Sequence, residues 1–252
     1  MTTQEALFEY TIRIADDTLI LGHRLGEWCG HGPVLEQDMA LTNIALDLIG
    51  QARSLYQYAA KIQGKGHTED DLAYLRDVLQ YKNLLLMELP NGNFGDTIVR
   101  QFFNDIFRFY YYQALTHSKD EFLAAFAAKS LKEVKYHRRF SSEWMKRLGD
   151  GTELSHQKMQ AALDKFWAYT CELFEMDEVD KTMIDAGIGV DLLDIKKKWQ
   201  DNVAEVVQEA TLKLPESTWM HSGGRKGFHT EHLGHILSEM QYMQRAYPGV
   251  EW

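Results

Sequence analysis

Cysteine is nearly absent from the 252-residue sequence, which contains only Cys29 and Cys171. Two cysteines cannot build the disulfide framework of a small secreted domain or the four-ligand set of a zinc ribbon. The first residues also lack the basic start and the apolar stretch of a signal peptide. We therefore expect a cytoplasmic protein with reduced thiols.

Long apolar runs and basic clusters are missing as well. The apolar run over residues 84–87 is followed at once by Glu88, whereas a bilayer-spanning helix needs about 20 apolar residues. Asp and Glu outnumber Lys and Arg by 37 to 27, which gives a net charge of −10. No basic stretch is long enough to neutralise a row of phosphates. We therefore expect no membrane partner and no nucleic-acid partner.

Proline and two-residue alternation are both scarce, and each absence favours helices. The chain has four prolines, and its apolar residues recur at steps of three and four, the spacing of one helix face. Pro33 is expected to stop the first helix and Asp96 to cap a later one. The predicted helices cover residues 4–29, 36–63, 69–82, 96–117, 120–148, 155–175, 191–210 and 229–246.

The long predicted helices carry apolar seams. In residues 36–63 and 120–148 the seam residues follow one another at alternating steps of four and three, which is typical of helices in a nearly antiparallel four-helix bundle. The seam of the second helix comprises Leu41, Ala45, Leu48, Ala52, Leu55, Ala59 and Ile62. With 45% hydrophobic residues, the chain can bury a sizeable core.

Two polar residues interrupt these seams. Asp105 lies among aromatic residues in the helix over 96–117, and His137 lies between Val134 and Trp144 in the helix over 120–148. An unpaired carboxylate in such a place would cost several kcal/mol, so we expect both residues in one polar network. A carboxylate and a histidine that face each other inside a bundle also suggest a carboxylate-bridged di-iron site.

Five motifs resemble one known family. They cover residues 25–31, 46–53, 90–97, 132–140 and 229–234. Together they resemble the C subunits of phenylacetyl-CoA epoxidases (ring 1,2-epoxidases), which form a family of ferritin-like proteins with the related A subunits. The resemblance extends over essentially the whole chain. It implies an all-α, ferritin-like four-helix bundle with additional C-terminal helices, folded as one domain over residues 1–252.

The resemblance also implies different roles for the two subunits. In this family the A subunit holds the di-iron centre and epoxidises the ring of phenylacetyl-CoA, and the C subunit is its structural partner. Three of the six ligand positions survive here in vestigial form, and three have lost their ligands. The surviving positions are Glu27, Asp105 and His137, and the lost ones are Leu48, Gln51 and Val134.

The chemistry of these side chains also indicates that metal ligands have been lost. Leu48 and Val134 have no lone pair for a metal, and Gln51 is a weak, neutral ligand. We therefore expect no catalytic residue, no cofactor-binding residue and no metal in this chain, with the di-iron centre in the partner A subunit. The expected function is that of a non-catalytic structural subunit of the epoxidase, in aerobic phenylacetate degradation.

Alternatives and partners follow from the same residues. The alternative is a di-metal oxygenase that acts through its own rearranged ligands, and a ferritin-like metal store is a third hypothesis. The expected partners are the A subunit and the other components of the complex, with a homodimer when the chain is alone. In the glycine-rich segment 222–227, Arg225 and Lys226 are candidates for contact with a partner or with a CoA phosphate.

Three further patterns allow predictions. The pair Asp16–Asp17 suggests a solvated helix face. His229, His232 and His235 could form a surface zinc site, but packing at a helix start is the preferred interpretation. The aromatic residues surround the helix over 96–117 on all sides, so we expect the extra helices or another subunit to cover it. They are Phe102, Phe103, Phe107, Phe109, Tyr110, Tyr111 and Tyr112.

Overall fold

A computed structural model describes residues 1–216 and 219–250. Regular structure in this part of the chain is entirely helical, which confirms the all-α class and agrees with a ferritin-like helical bundle. No helix within it is long and apolar enough to cross a membrane. The helices are α1 (Thr3–Gly26), α2 (Leu35–Gln63), α3 (Glu69–Tyr74), α4 (Leu85–Glu88), α5 (Phe94–Leu115), α6 (Glu121–Gly149), α7 (Glu153–Trp167), α8 (Glu178–Asp185), α9 (Leu192–Glu209), α10 (Glu231–Met240) and α11 (Tyr242–Ala246).

The predicted long helices are confirmed, and most differences lie at their ends. The first helix stops at Gly26, before the predicted break at Pro33, and residues 27–31 form a turn. The segment over 69–82 is divided into α3 and a short 3₁₀ turn, Val78–Gln80. Sequence periodicity missed α4 and α8 because four or eight residues are too short for a repeating pattern.

One predicted cap is wrong in its details. Asn93, not Asp96, is the N-cap of α5, and its side-chain oxygen accepts a hydrogen bond from the backbone amide of Gly95 at 2.8 Å. The Asp96 carboxylate reaches back to the backbone amide of Asn93 at 2.9 Å. The two side chains together form a capping box, so Asp96 contributes to the helix start from the third helical position.

Contacts within the chain divide it into two compact units. The first comprises residues 1–90 and 223–250, with α1 packed along α2 and α10 near α4. The second comprises residues 91–216 and 219–222, with α5 packed along α6 and against α7 and α9. Each unit therefore contains one pair of long helices joined by a short connection, the arrangement of neighbours in a bundle. The single domain stays a prediction.

The second unit covers the aromatic helix α5 with its own extra helices. Phe103 contacts the rings of Trp167 on α7 and Trp199 on α9, and the indole of Trp199 donates a hydrogen bond to the Phe103 carbonyl at 3.0 Å. Phe107 contacts Phe174 in the 3₁₀ turn Cys171–Phe174. Five of the seven aromatic side chains are buried, and Phe109 and Tyr110 are half-buried. Of the two covers expected from the sequence, the extra helices and another subunit, the structure shows the extra helices.

Candidate functional site

The buried polar pair predicted from the seams exists in the second unit. Asp105 on α5 and His137 on α6 are both almost completely buried, and the His137 charge acts on the Asp105 carboxyl. The Asn104 amide donates a hydrogen bond to Asp105 Oδ1 at 3.2 Å. The Ser141 hydroxyl, one turn after His137, donates to the His137 carbonyl at 3.1 Å. The two residues thus belong to one polar network, as predicted.

This network only partly compensates the Asp105 carboxylate. Burial raises the pKa of Asp105 to about 6, although His137 and the polar groups of Ser141 and Asn104 oppose the shift. Asp105 Oδ2 is buried and accepts no hydrogen bond from any described residue. A buried carboxylate oxygen without a donor favours the protonated acid. The site therefore holds a proton more readily than an exposed aspartate would.

The neighbouring candidate position in the second unit is apolar. Val134 lies one turn before His137 on the same face of α6 and is buried. A glutamate and a histidine at this spacing would meet at one point in the core. Here the spacing places the isopropyl group of Val134 beside the imidazole of His137. A valine side chain has no lone pair, so this unit offers one carboxylate and one imidazole at the candidate centre.

The three candidate positions of the first unit are even less suited to binding a metal ion. Leu48 and Gln51 are buried on α2, and only Gln51 is polar. Glu27 follows the end of α1, where its carboxylate accepts a hydrogen bond from Arg24 at 2.7 Å. Its side chain is 45% exposed. Glu27 therefore forms a partly exposed ion pair at a helix end.

The donor set does not fit a di-iron centre. A carboxylate-bridged site of this type uses four carboxylates and two histidines, whereas each unit on its own supplies far fewer. No group of three or more His, Cys, Asp or Glu side chains in the described residues is arranged to hold a metal ion. The side chains at the candidate positions are suited to packing and to a buried hydrogen-bonded pair.

A second polar site, in the first unit, was not recognised from the sequence. Asp16 is fully buried on α1, so the prediction of a solvated face is wrong. Its carboxylate accepts hydrogen bonds from the Tyr56 hydroxyl at 2.6 Å and from the Lys82 backbone amide at 2.8 Å, and it forms an ion pair with the guanidinium of Arg76. Each oxygen of this buried carboxylate therefore has a partner.

Asp17 is equally buried and is paired with Arg225. The guanidinium Nη2 lies 2.8 Å from Asp17 Oδ2, and Nη1 also donates to the backbone carbonyls of Arg13 and Lys82 at 3.1 and 2.6 Å. Asp17 Oδ1 accepts a further hydrogen bond from the Leu84 amide at 2.7 Å. This pairing gives Arg225 a structural role in the first unit. Contact with a partner or with CoA stays a prediction, and it now depends mainly on Lys226, which is exposed.

Glu88 and His229 form the third buried pair of this cluster. Glu88 accepts hydrogen bonds from His229 Nδ1 at 2.8 Å, from the Asn83 amide at 2.8 Å and from the backbone amide of Thr230 at 2.6 Å. His229 Nε2 lies 3.0 Å from the Tyr81 carbonyl. Both ring nitrogens face oxygen acceptors, so both donate and the imidazole carries a positive charge.

The pKa of His229 agrees with this charge. Burial lowers it, but the hydrogen bond and the charge of Glu88 outweigh burial and raise the pKa above its ordinary value of 6.5. His229 therefore packs at the start of α10, the preferred interpretation from the sequence. It binds a carboxylate and a carbonyl, not a zinc ion.

The signal for this cluster was weak in the sequence. Arg13 and Arg24 share one side of α1 with Asp16 and Asp17, and a polar stripe of this kind is typical of a solvated helix face. In the structure nearly all of residues 10–25 are buried, so these acids require basic partners. The sequence did not show which partners these were, because Arg76 and Arg225 are distant along the chain.

Comparison with known proteins identifies the family. The family model described as phenylacetic acid catabolic protein matches residues 1–252. The chain belongs to this family. It is also 51% identical over 246 residues to the C subunit of the 1,2-phenylacetyl-CoA epoxidase of Escherichia coli (strain K12), a match that covers 98% of this chain and 99% of that protein.

The match confirms the resemblance found from the five motifs. It covers both the buried ionic cluster of the first unit and the Asp105–His137 pair of the second. The family includes proteins of phenylacetic acid catabolism by its description, which agrees with the predicted pathway.

Proposed function

We propose that this chain is a non-catalytic structural subunit of a phenylacetyl-CoA 1,2-epoxidase. In this role it binds and positions the catalytic A subunit, which holds the di-iron centre, and it has no cofactor of its own. The observation that carries the proposal is Val134, a buried apolar side chain one turn before the buried His137. Similarity to the C subunit of an epoxidase over 98% of the chain supports the choice of complex.

In the complex, this chain would act as a rigid scaffold. Buried ion pairs tie α1 to residues 76–88 and to residues 225–230, which are far apart in sequence. Such paired charges fix one arrangement of the segments that carry them, because any other arrangement would leave a charge buried and unpaired. A rigid scaffold can hold a partner subunit in one position without an ordering penalty on binding.

The test is reconstitution of the epoxidase with and without this chain. The purified chain should contain no stoichiometric iron, should form a complex with the A subunit, and should restore phenylacetyl-CoA epoxidation that the A subunit and reductase alone do not sustain. A chain that does not bind the A subunit would contradict the proposal. We place the complex in the cytoplasm, which fractionation of cells can check.

A di-metal oxygenase remains the second candidate because of one observation. Asp105 Oδ2 is buried without a hydrogen-bond donor, and a carboxylate oxygen in that state could accept a metal ion. About two equivalents of tightly bound iron, together with turnover of phenylacetyl-CoA by this chain and a reductase alone, would favour this candidate.

A further inference from the structure

The first half of α2 carries an unusual concentration of exposed apolar side chains. Leu35 and Leu46 are 71% and 61% exposed. Their neighbours along the stripe are Val34, Met39 and Ile49, which are also exposed. Large exposed apolar patches on proteins usually mark interaction sites. We call Val34, Leu35, Met39, Leu46 and Ile49 the α2 stripe.

The spacing of the α2 stripe indicates the shape of what covers it. From Leu35, with Thr42 included, the residues follow at steps of four, three, four and three. This is the spacing of a helix seam that receives another helix. The opposite side of α2 has a seam of the same rhythm, which is already buried against the chain itself. The α2 stripe is therefore a second seam, about 21 Å long at 1.5 Å per residue.

The charges around the α2 stripe indicate the sign of its partner. Residues 34–50 contain three acidic residues, Glu36, Asp38 and Asp47, and no lysine or arginine. Gly50, beside the stripe, has open space where a side chain would be, so another helix can approach closely there. An apolar seam with acidic neighbours fits a helix whose own apolar seam has lysine or arginine neighbours.

A second copy of this chain fits the α2 stripe less well. In a twofold antiparallel pair centred on the stripe, Glu36 of one copy would lie near Asp47 of the other. Like charges opposed across an interface are destabilising. A different protein with basic residues at these positions meets no such repulsion.

We infer that the α2 stripe binds a basic-flanked helix of the partner A subunit. This inference rests on the proposed function and names the surface through which the partner is held. Leu46→Glu should weaken binding of the A subunit about tenfold or more, because it buries an unpaired charge in an apolar seam. Met39→Glu should act in the same way, and either variant should fold because both side chains are exposed.

The experiment measures binding of the A subunit to the full-length chain by sedimentation or calorimetry. The matched control is Leu154→Glu on α7, since Leu154 is 62% exposed and so resembles Leu46 in exposure. It should bind as the unsubstituted chain does. Glu36→Lys should weaken binding about threefold and reduce its salt dependence, because it reverses a charge beside the seam.

The outcomes separate the inference from the proposed function. Failure of the unsubstituted chain to bind the A subunit would overturn the proposed function. Binding by the unsubstituted chain that Leu46→Glu and Met39→Glu leave unchanged would overturn only the inference. Loss of a homodimer in these variants, with A-subunit binding intact, would also overturn it and assign the stripe to a second copy. Unchanged binding by Glu36→Lys would overturn the basic character of the partner helix.

Discussion

Buried carboxylates occur in both units, but their charges are compensated differently. In the first unit Asp16, Asp17 and Glu88 each meet a cationic side chain and at least one backbone amide. In the second unit Asp105 has His137 nearby and one amide donor, and its second oxygen accepts no hydrogen bond from the described residues.

This difference in pairing decides what each buried charge contributes to the stability of the chain. Fully paired carboxylates stabilise one arrangement of distant segments, because removal of one partner leaves an uncompensated charge. A partly paired carboxylate lowers stability whenever it is ionised. The first cluster should therefore be intolerant of substitution, whereas Asp105 should be replaceable by a neutral residue of the same shape.

The largest expected effect comes from breaking the Asp17–Arg225 pair. Arg225→Ala should lower the free energy of unfolding by about 3–5 kcal/mol, because it leaves Asp17 buried without its cation. The measurement is urea unfolding at pH 7. Lys226→Ala is the matched control, since its side chain is exposed, and it should change stability by less than about 0.5 kcal/mol. Equal effects of the two substitutions would contradict a structural role for Arg225.

A smaller effect, dependent on pH, is expected at His229. His229→Gln should lower the free energy of unfolding by about 2–3 kcal/mol at pH 6, because it removes a charged hydrogen bond from Glu88. The pKa of His229 is raised in the folded chain, so its stabilisation is complete below the ordinary pKa of 6.5 and is lost as pH rises through the raised value.

The check for His229 is urea unfolding across a pH series. The difference between the unsubstituted chain and His229→Gln should shrink as pH rises. His235→Gln, at an exposed position on α10, is the control and should leave the pH dependence unchanged. A constant difference at all pH values would show that the imidazole is not charged.

Substitution of Asp105 is expected to raise the stability of the chain, whereas substitution of His229 lowers it. The pKa of Asp105 is raised to about 6, so the folded state favours the protonated acid, and stability is lost as pH rises through that value. Asp105→Asn keeps the shape and removes the titration. It should stabilise the chain by about 1–2 kcal/mol at pH 8, with no gain at pH 4. Destabilisation at pH 8 would mean that the charged pair with His137 is a net stabilising contact.

The smallest effect is expected at Tyr56. Tyr56→Phe removes the hydrogen bond from the tyrosine hydroxyl to Asp16, but Asp16 keeps Arg76 and the Lys82 amide. The expected loss is about 1 kcal/mol in the free energy of unfolding. Thermal unfolding would measure it, with Tyr242→Phe, at an exposed tyrosine, as the control. A loss as large as that of Arg225→Ala would show that the cluster is less redundant than its contacts indicate.

The sequence was enough to predict the helix positions and the shared network of Asp105 and His137. Both predictions depend on apolar residues that recur at short, regular intervals along the chain. A seam at steps of three and four marks one helix face whatever the helix packs against. A polar residue on that face must be buried with a partner. Short helices such as α4 gave no such signal, and the cap of α5 was misplaced because Asn93 and Asp96 are both good N-terminal residues.

The long-range pairs could not be predicted in the same way. The contacts of Asp16 with Arg76 and of Asp17 with Arg225 join residues separated by 60 and 208 positions. Many basic residues are available as partners, and only the folded chain selects among them. For the same reason Arg225 and Lys226 look equivalent in sequence, although one is paired in the interior and the other is exposed.

The order of residues was enough to establish the helical class, the long helices, the family and the apolar side chains at Leu48 and Val134. These follow from residue type and short-range spacing, which exist before the chain folds. Only the folded chain shows that Asp17 is neutralised by Arg225, that α5 is covered from within its own unit, and that the α2 stripe remains exposed. Burial and charge pairing depend on which distant segments meet, and that is settled only when the whole chain packs.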